Sequence, residues 1–167
     1  NLDIANPLTD GYGPLGDTVF RGIGGTRSFY NYREGQMSSR YVRMQAEVRE
    51  RLLGIETKEY EGVSAPEKGK LRFHALPVSM GRYFAGYSPR NARHTALEAD
   101  NLLPLGFVQI ACLLLAWPER LTKYGQRWID CSADEWDWNA GGRWSYCPYF
   151  SFSDGKLEFS TAWSDDA

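Results

Sequence analysis

Cysteine, histidine and long apolar runs are all scarce in this sequence, and each scarcity excludes something. The three cysteines, Cys112, Cys131 and Cys147, are an odd number and cannot make a complete disulfide framework. Cys112 lies in an apolar run and reads as a small buried hydrophobe. Cys131 and Cys147 lie on two predicted strands and would pair only in an oxidising compartment. No Cys-x-x-Cys occurs, and His74 and His94 stand apart, so neither a metal nor a cofactor is expected. The most apolar stretch, residues 105–117, is thirteen long. A membrane span needs roughly 20 such residues, so the run reads as a buried helix and no membrane partner is expected. Val108 and Ile110 keep a strand reading open for its first half. No positively charged start leads into an apolar run, so no signal peptide is expected. The location stays open, with the cytoplasm favoured. Internal repeats and low-complexity tracts are missing too.

What is present is one domain's worth of chain, 167 residues with 43% hydrophobic and 24% charged content. This is enough to bury a core without disulfides or metals. Residues 1–127 carry 17 basic and 13 acidic side chains, whereas residues 128–167 carry 2 basic and 8 acidic. All six tryptophans fall between Trp117 and Trp163. The C-terminal part is therefore acidic and aromatic, and the rest mildly basic.

Residues 1–37 are dense in glycine and read as mostly loop, with a short strand over 18–21. A helix over 39–53 is expected, capped by Ser38 or Ser39 and stopped by Gly54. Tyr41, Met44, Val48, Leu52 and Ile55 would share its inner face, with Arg43 and Glu47 paired at i,i+4 outside. Residues 71–78 read as a strand. Ser88-Pro89 opens a helix expected to reach Leu103. A short helical turn is expected over 118–125, a strand over 127–132 and a loop over 133–142. Asp154-Gly155 is a type I′ hairpin dipeptide. It would pair Phe152 with Leu157, Phe150 with Phe159 and Tyr146 with Trp163. The expected fold is α+β, a single domain with two or three helices packed on an antiparallel sheet that ends in a C-terminal β-hairpin. The expected core is Val48, Leu52, Phe73, Leu97, Phe107, Ile110, Cys112, Leu114, Phe150, Phe152, Leu157 and Phe159.

Four patterns bear on chemistry. Gly11-Tyr12-Gly13-Pro14-Leu15-Gly16 matches the spacing of a dinucleotide loop, but neither the strand before it nor the helix after it that such a site needs is expected here, so it reads as a plain loop. Asp130, Asp134, Glu135 and Asp137 surround a loop framed by Trp128, Trp136 and Trp138. Paired carboxylates beside tryptophans suit glycoside hydrolysis, carboxylate oxygens could hold a hard cation such as Ca²⁺, and tryptophan faces could stack on a sugar or other small ligand. An acidic solvated loop over a small tryptophan core is the plain alternative. Residues 21–51 hold seven arginines against three glutamates, interleaved with Phe29, Tyr30, Tyr32 and Tyr41. That composition suits a nucleic-acid surface or, at less cost for an acidic chain, a protein interface. A Cys131 or Cys147 nucleophile with His74 or His94 as base has no local motif behind it.

In outline, Arg21 after a short strand, Ser38-Ser39, and Glu59-Tyr60-Glu61 resemble the arginine–serine–glutamate pattern of ADP-ribosyltransferases. The resemblance implies that Arg21 binds the phosphate side of a dinucleotide and that Glu61 stabilises a ribosyl cation. Two departures stand against it. About 20 residues, filled by a predicted helix, separate the serines from the glutamates, and the serines are accounted for as caps.

The reading favoured on balance is a non-catalytic binding or protein-interaction domain of an accessory, inhibitor or immunity type. Its partner would be another protein, with nucleic acid unexpected. The surface would use Trp128, Asp130, Asp134, Glu135, Trp136, Asp137, Trp138 and Arg143, together with Arg40 and Arg43. The alternative is a carboxylate-dependent hydrolase working through the Asp130 to Asp137 loop, and after it an ADP-ribosyltransferase-like enzyme.

Overall fold

The computed structural model describes residues 12–57, 78, 82–126 and 128–166. Within them lie four α-helices and a six-stranded mixed sheet, so the fold is α+β. The elements run α1 (Tyr12–Thr26), β1 (Phe29–Asn31), β2 (Val42–Met44), α2 (Ala46–Thr57), a 3-10 turn (Arg82–Phe84), α3 (Pro89–Glu98), α4 (Phe107–Ala116), β3 (Ile129–Asp130), β4 (Asp134–Trp136), β5 (Tyr146–Ser153) and β6 (Lys156–Trp163). The strand order is β1-β6-β5-β4-β2, with β3 also beside β5.

The β5–β6 hairpin forms in the expected register. Phe152 faces Leu157, Phe150 faces Phe159 and Tyr146 faces Trp163. Asp154 and Gly155 sit at φ 49° and 76°, the left-handed pair that a two-residue turn needs to match strand twist. Gly155→Ala is expected to cost about 1–2 kcal/mol, because a Cβ is penalised at that φ. Urea denaturation would measure it, and an unchanged midpoint would contradict the turn geometry. Phe150, Leu157 and Phe159 are fully buried on the inner face, where Phe20 of α1 and Phe107 of α4 pack on them. The alternation is imperfect at the margins. Trp163 on the inner face is half exposed and Ser151 on the outer face is buried.

The sheet is not purely antiparallel as expected. β1 runs parallel to β6. No tight turn joins these strands, and α1 delivers the chain to the free edge of β6 in that direction.

Residues 12–26, expected as loop and strand, form helix α1 instead. The glycines that argued against a helix permit this one. Gly13 abuts the backbone of Met37, and Gly16 abuts the ring of Phe107. Pro14 falls in the first turn, where no intrahelical N–H is required. Packing of Tyr12, Phe20 and Ile23, all buried, outweighs poor intrinsic propensity.

The helix expected over 39–53 begins later. Residues 42–44 are strand β2, with Val42 and Met44 buried and paired to β4. Ser38 and Ser39 cap nothing. Gln45 accepts the Val48 amide at 3.0 Å and opens α2, which continues past Gly54 to Thr57. Val48 and Leu52 do face the core. Arg43 pairs across strands with Glu135 rather than along a helix with Glu47.

Helix α3 starts as expected, with Ser88 Oγ accepting the Asn91 amide and Pro89 at its first position. It ends at Glu98, short of Leu103. The Arg51 guanidinium from α2 takes the carbonyls of Ala96, Leu97, Ala99 and Leu102 at 2.6–3.2 Å. A cation is favourable at a helix C-terminus. Helix α4 occupies the apolar run, which removes the strand reading. Its end is held in the same manner, by Arg27 on the carbonyls of Leu114, Pro118 and Arg120. The helical turn expected over 118–125 is irregular backbone around a buried Leu121 at φ 53°.

Cys112 is exposed rather than buried, because α4 packs one face on α1 and the sheet and leaves the opposite side open. Leu97 and Phe152 are only partly buried against the core. The expected strand over 71–78, with Phe73 and His74, lies outside the described residues apart from Val78. The expected loop over 133–142 contains β4.

Candidate functional site

The acidic, tryptophan-framed segment does not form one cluster. The short strands β3 and β4, with a turn between them, send its residues to opposite faces of the sheet. Asp134 is only 1% exposed. Its carboxylate accepts the Tyr12 hydroxyl at 2.9 Å and the Phe107 amide at 2.5 Å. It therefore caps α4 from another strand, since Gly106 at the cap position has no side chain to do so. Burial pushes the Asp134 carboxyl up to about 7, against the downward pull of the Phe107 amide, the Tyr12 hydroxyl and the Arg93 guanidinium. The Tyr12 hydroxyl is raised by burial and then by Asp134.

Asp137 is likewise 1% exposed. It accepts the amides of Asn139 (3.2 Å), Arg143 (3.0 Å) and Gly142, which clips the 137–143 loop shut. Burial raises its carboxyl, but these backbone donors outweigh it and the net shift is downward. Trp136 is fully buried beside Phe159. Asp134, Trp136 and Asp137 thus belong to the scaffold, not to an exposed surface as expected. Arg143 takes part through its backbone amide, and its side chain is exposed.

Glu135 faces the other way. It accepts two bonds from Arg43 (3.0 and 2.8 Å) and one from Arg93 of α3 (3.4 Å). Arg43 also lies over the Trp144 ring at 4.1 Å. Asp130, at the end of β3, is exposed. It is the residue paired with Tyr149 across the strands.

The arginine-rich region also divides. Arg27 and Arg51 hold helix ends, and Arg43 is bound to Glu135. Arg33 is buried over Trp138 at 4.1 Å. Arg40 stays exposed. Arg21 is exposed on helix α1, bonded to Thr18, not at the end of a strand as the ADP-ribosyltransferase pattern requires. Glu59 and Glu61 lie outside the described residues. Four of the seven arginines have internal partners, which leaves little of the expected basic surface.

Two aromatic groups remain open. On the inner face, at one end of the sheet, Trp163 stacks on Tyr146 (4.4 Å) and Trp138 lies beside them. On the outer face, Trp128 lies flat on Tyr149, with centroids 4.6 Å and planes 8° apart, and is 59% exposed. Tyr30 and Tyr32, both half exposed, share that face. Lys156 sits over Tyr30 at 4.9 Å and 3.7 Å from Glu158, which also accepts the Tyr32 hydroxyl at 3.4 Å. The sequence reading missed Tyr30, Tyr32 and Tyr149 as parts of one surface. Strand alternation on the hairpin would have found Tyr149, but the parallel docking of β1 has no local signal.

A shallow open depression of about 310 Å³ lies elsewhere, between Glu47 of α2 and Arg90, Asn91, Arg93, His94 and Leu97 of α3. His94 is exposed and 3.4 Å from Glu98. Cys131 and Cys147 are buried free thiols, both raised by burial, which disfavours the thiolate a nucleophile needs. Among the described residues no group of three potential ligands could hold a metal ion, and no helix is long and apolar enough to cross a membrane. Comparison with protein families, with curated proteins and with solved structures finds no match for this chain.

Proposed function

We propose that this chain is a non-catalytic binding domain for another protein, and that its contact surface is the outer sheet face carrying Trp128, Tyr149, Tyr30 and Tyr32. The observation that carries this is the exposed Trp128 ring, held flat by Tyr149 instead of being folded into the core. Tryptophan and tyrosine supply large contact area at low entropic cost, and a ring fixed before binding loses less freedom on contact. Ser153, Ser160 and the Lys156–Glu158 pair, all partly exposed, give the polar part of such a surface.

The carboxylate-hydrolase alternative has less support. Two of its four acids, Asp134 and Asp137, are enclosed and occupied by structural hydrogen bonds. A Trp128→Ser, Tyr32→Ser double variant is expected to lose partner capture from source-cell lysate by at least about tenfold, since a truncated aromatic anchor commonly costs more than 2 kcal/mol. Trp117→Ser, on an exposed ring at the end of α4, should retain it. Both proteins should keep the wild-type melting temperature. Equal capture by the double variant would overturn the proposal.

A further inference from the structure

We infer that the partner places a cationic side chain, a guanidinium in first rank, on the exposed Trp128 ring with Asp130 as its counter-ion. This rests on the binding reading above and specifies the chemistry of the partner. The protein builds the same arrangement twice from its own residues. Arg43 lies 4.1 Å over Trp144 and bonds Glu135. Lys156 lies 4.9 Å over Tyr30 and is 3.7 Å from Glu158. Each unit is a ring, a carboxylate and a cation that satisfies both.

Among the described residues, the third ring and carboxylate have no cation. Trp128 and Asp130 are two positions apart, so strand alternation puts both on the outer face. Both adjoin Tyr149, Trp128 through stacking and Asp130 through strand pairing. Asp130 makes no ion pair among the described residues. Tyr149 covers one face of the indole, and the Trp128 residue as a whole is still 59% exposed. An aromatic face is electron-rich and attracts a cation, and the attraction grows as water is excluded. A planar guanidinium can lie flat on an indole and still bond a carboxylate at its edge, which an ammonium does less well.

Charge selects among occupants. Of the acids in residues 128–167, Asp134 and Asp137 are buried and Glu135, Glu158 and Asp165 are ion-paired, so the charge beside Trp128 is that of Asp130, which disfavours a nucleic-acid backbone or an acidic peptide there. A sugar could stack on Trp128 and donate a hydroxyl to Asp130, but it would leave the carboxylate without a counter-ion, which a guanidinium supplies together with the same hydrogen bond.

The test is fluorescence anisotropy of three labelled eight-residue peptides, alternating glycine with arginine, lysine or glutamate, at low salt and at 0.5 M salt. The full chain should bind the arginine peptide best, the lysine peptide less well and the glutamate peptide not at all, with binding weakened by salt. Trp128→Ala should weaken arginine-peptide binding about tenfold and Asp130→Asn about threefold. Trp163→Ala, on the opposite sheet face, should leave it unchanged. The inference falls if wild type ignores the arginine peptide, if it binds the glutamate peptide as well, or if either outer-face variant binds like wild type. Binding of a neutral oligosaccharide in its place, abolished in Trp128→Ala, would also overturn it. Failure here with lysate capture still dependent on Trp128 would mean that only the partner's chemistry is wrong. Capture indifferent to Trp128 would remove the binding reading itself.

Discussion

Gly13→Ala is expected to destabilise the chain by more than about 3 kcal/mol, enough to unfold a marginally stable domain. A Cβ at Gly13 would lie 1.9 Å from the carbonyl oxygen of Met37 and 2.6 Å from its carbon. The obstacle is backbone, which cannot rotate away as a side chain can, so either α1 or the 32–41 loop would have to move. Gly24→Ala, in the same helix, should have the opposite sign. Nothing lies within 4 Å of a Cβ there. Alanine's better helix propensity should then add about 0.5–1 kcal/mol. Urea denaturation of the two variants beside wild type tests the pair. A Gly13→Ala protein as stable as wild type would mean that α1 does not dock on Met37.

Removing the Asp134 carboxylate should be nearly as costly, and keeping it should make stability depend on pH. Asp134→Ala leaves the Phe107 amide without its buried acceptor and the Tyr12 hydroxyl with only the longer bond to Gln109 Oε1 at 3.3 Å. An orphaned buried group costs about 1–3 kcal/mol, so about 2–3 kcal/mol is expected for the variant. Wild type carries a further signature. The carboxyl stands at about 7 in the folded state and near 3.8 when unfolded, so the folded state binds its proton more tightly. Stability from this group is fully present below about pH 4 and is lost as pH rises towards 7. Asp137 acts oppositely. Its lowered carboxyl contributes above pH 4, and that contribution is lost as acid protonates it. Melting temperatures measured from pH 5 to pH 8 should therefore fall with rising pH in wild type and stay nearly flat in Asp134→Asn, where the amide oxygen can still accept one bond. A variant that tracks wild type across that range would show that Asp134 is not the titrating group.

Much of the fold was legible where the signal is local. Asp154-Gly155 specifies a turn by backbone conformation alone, and the register of β5 and β6 follows from the two-residue loop. Ser88-Pro89 specifies the start of α3 through a side-chain cap and a preset φ. The apolar run specifies a buried helix by its length. The errors occurred where a local preference met a stronger distant contact. Glycine disfavours a helix in isolation, yet at residues 13 and 16 its missing Cβ is what lets α1 approach Met37 and Phe107. The spacing of Tyr41, Met44 and Val48 suits a helix face, yet the cross-strand match of Val42 to Trp136 and Arg43 to Glu135 holds residues 42–44 extended.

The candidate site shows the same division more sharply. The sequence alone determined that residues 128–163 would be acidic, aromatic and built on a hairpin. It could not determine which of those side chains remain available. Asp134, Trp136 and Asp137 look no different from Asp130, Glu135 and Trp138 when read as letters. Tertiary structure separated them, because a buried carboxylate must find donors, and Tyr12, Phe107 and the 139–143 backbone supply them from distant or folded-back chain. In the same way, Arg27 and Arg51 left the basic surface once two helix ends needed cations. The hairpin turn and the Ser88 cap are decided within a few residues. Burial and pairing are decided by which segments meet, and that information exists only in the folded chain.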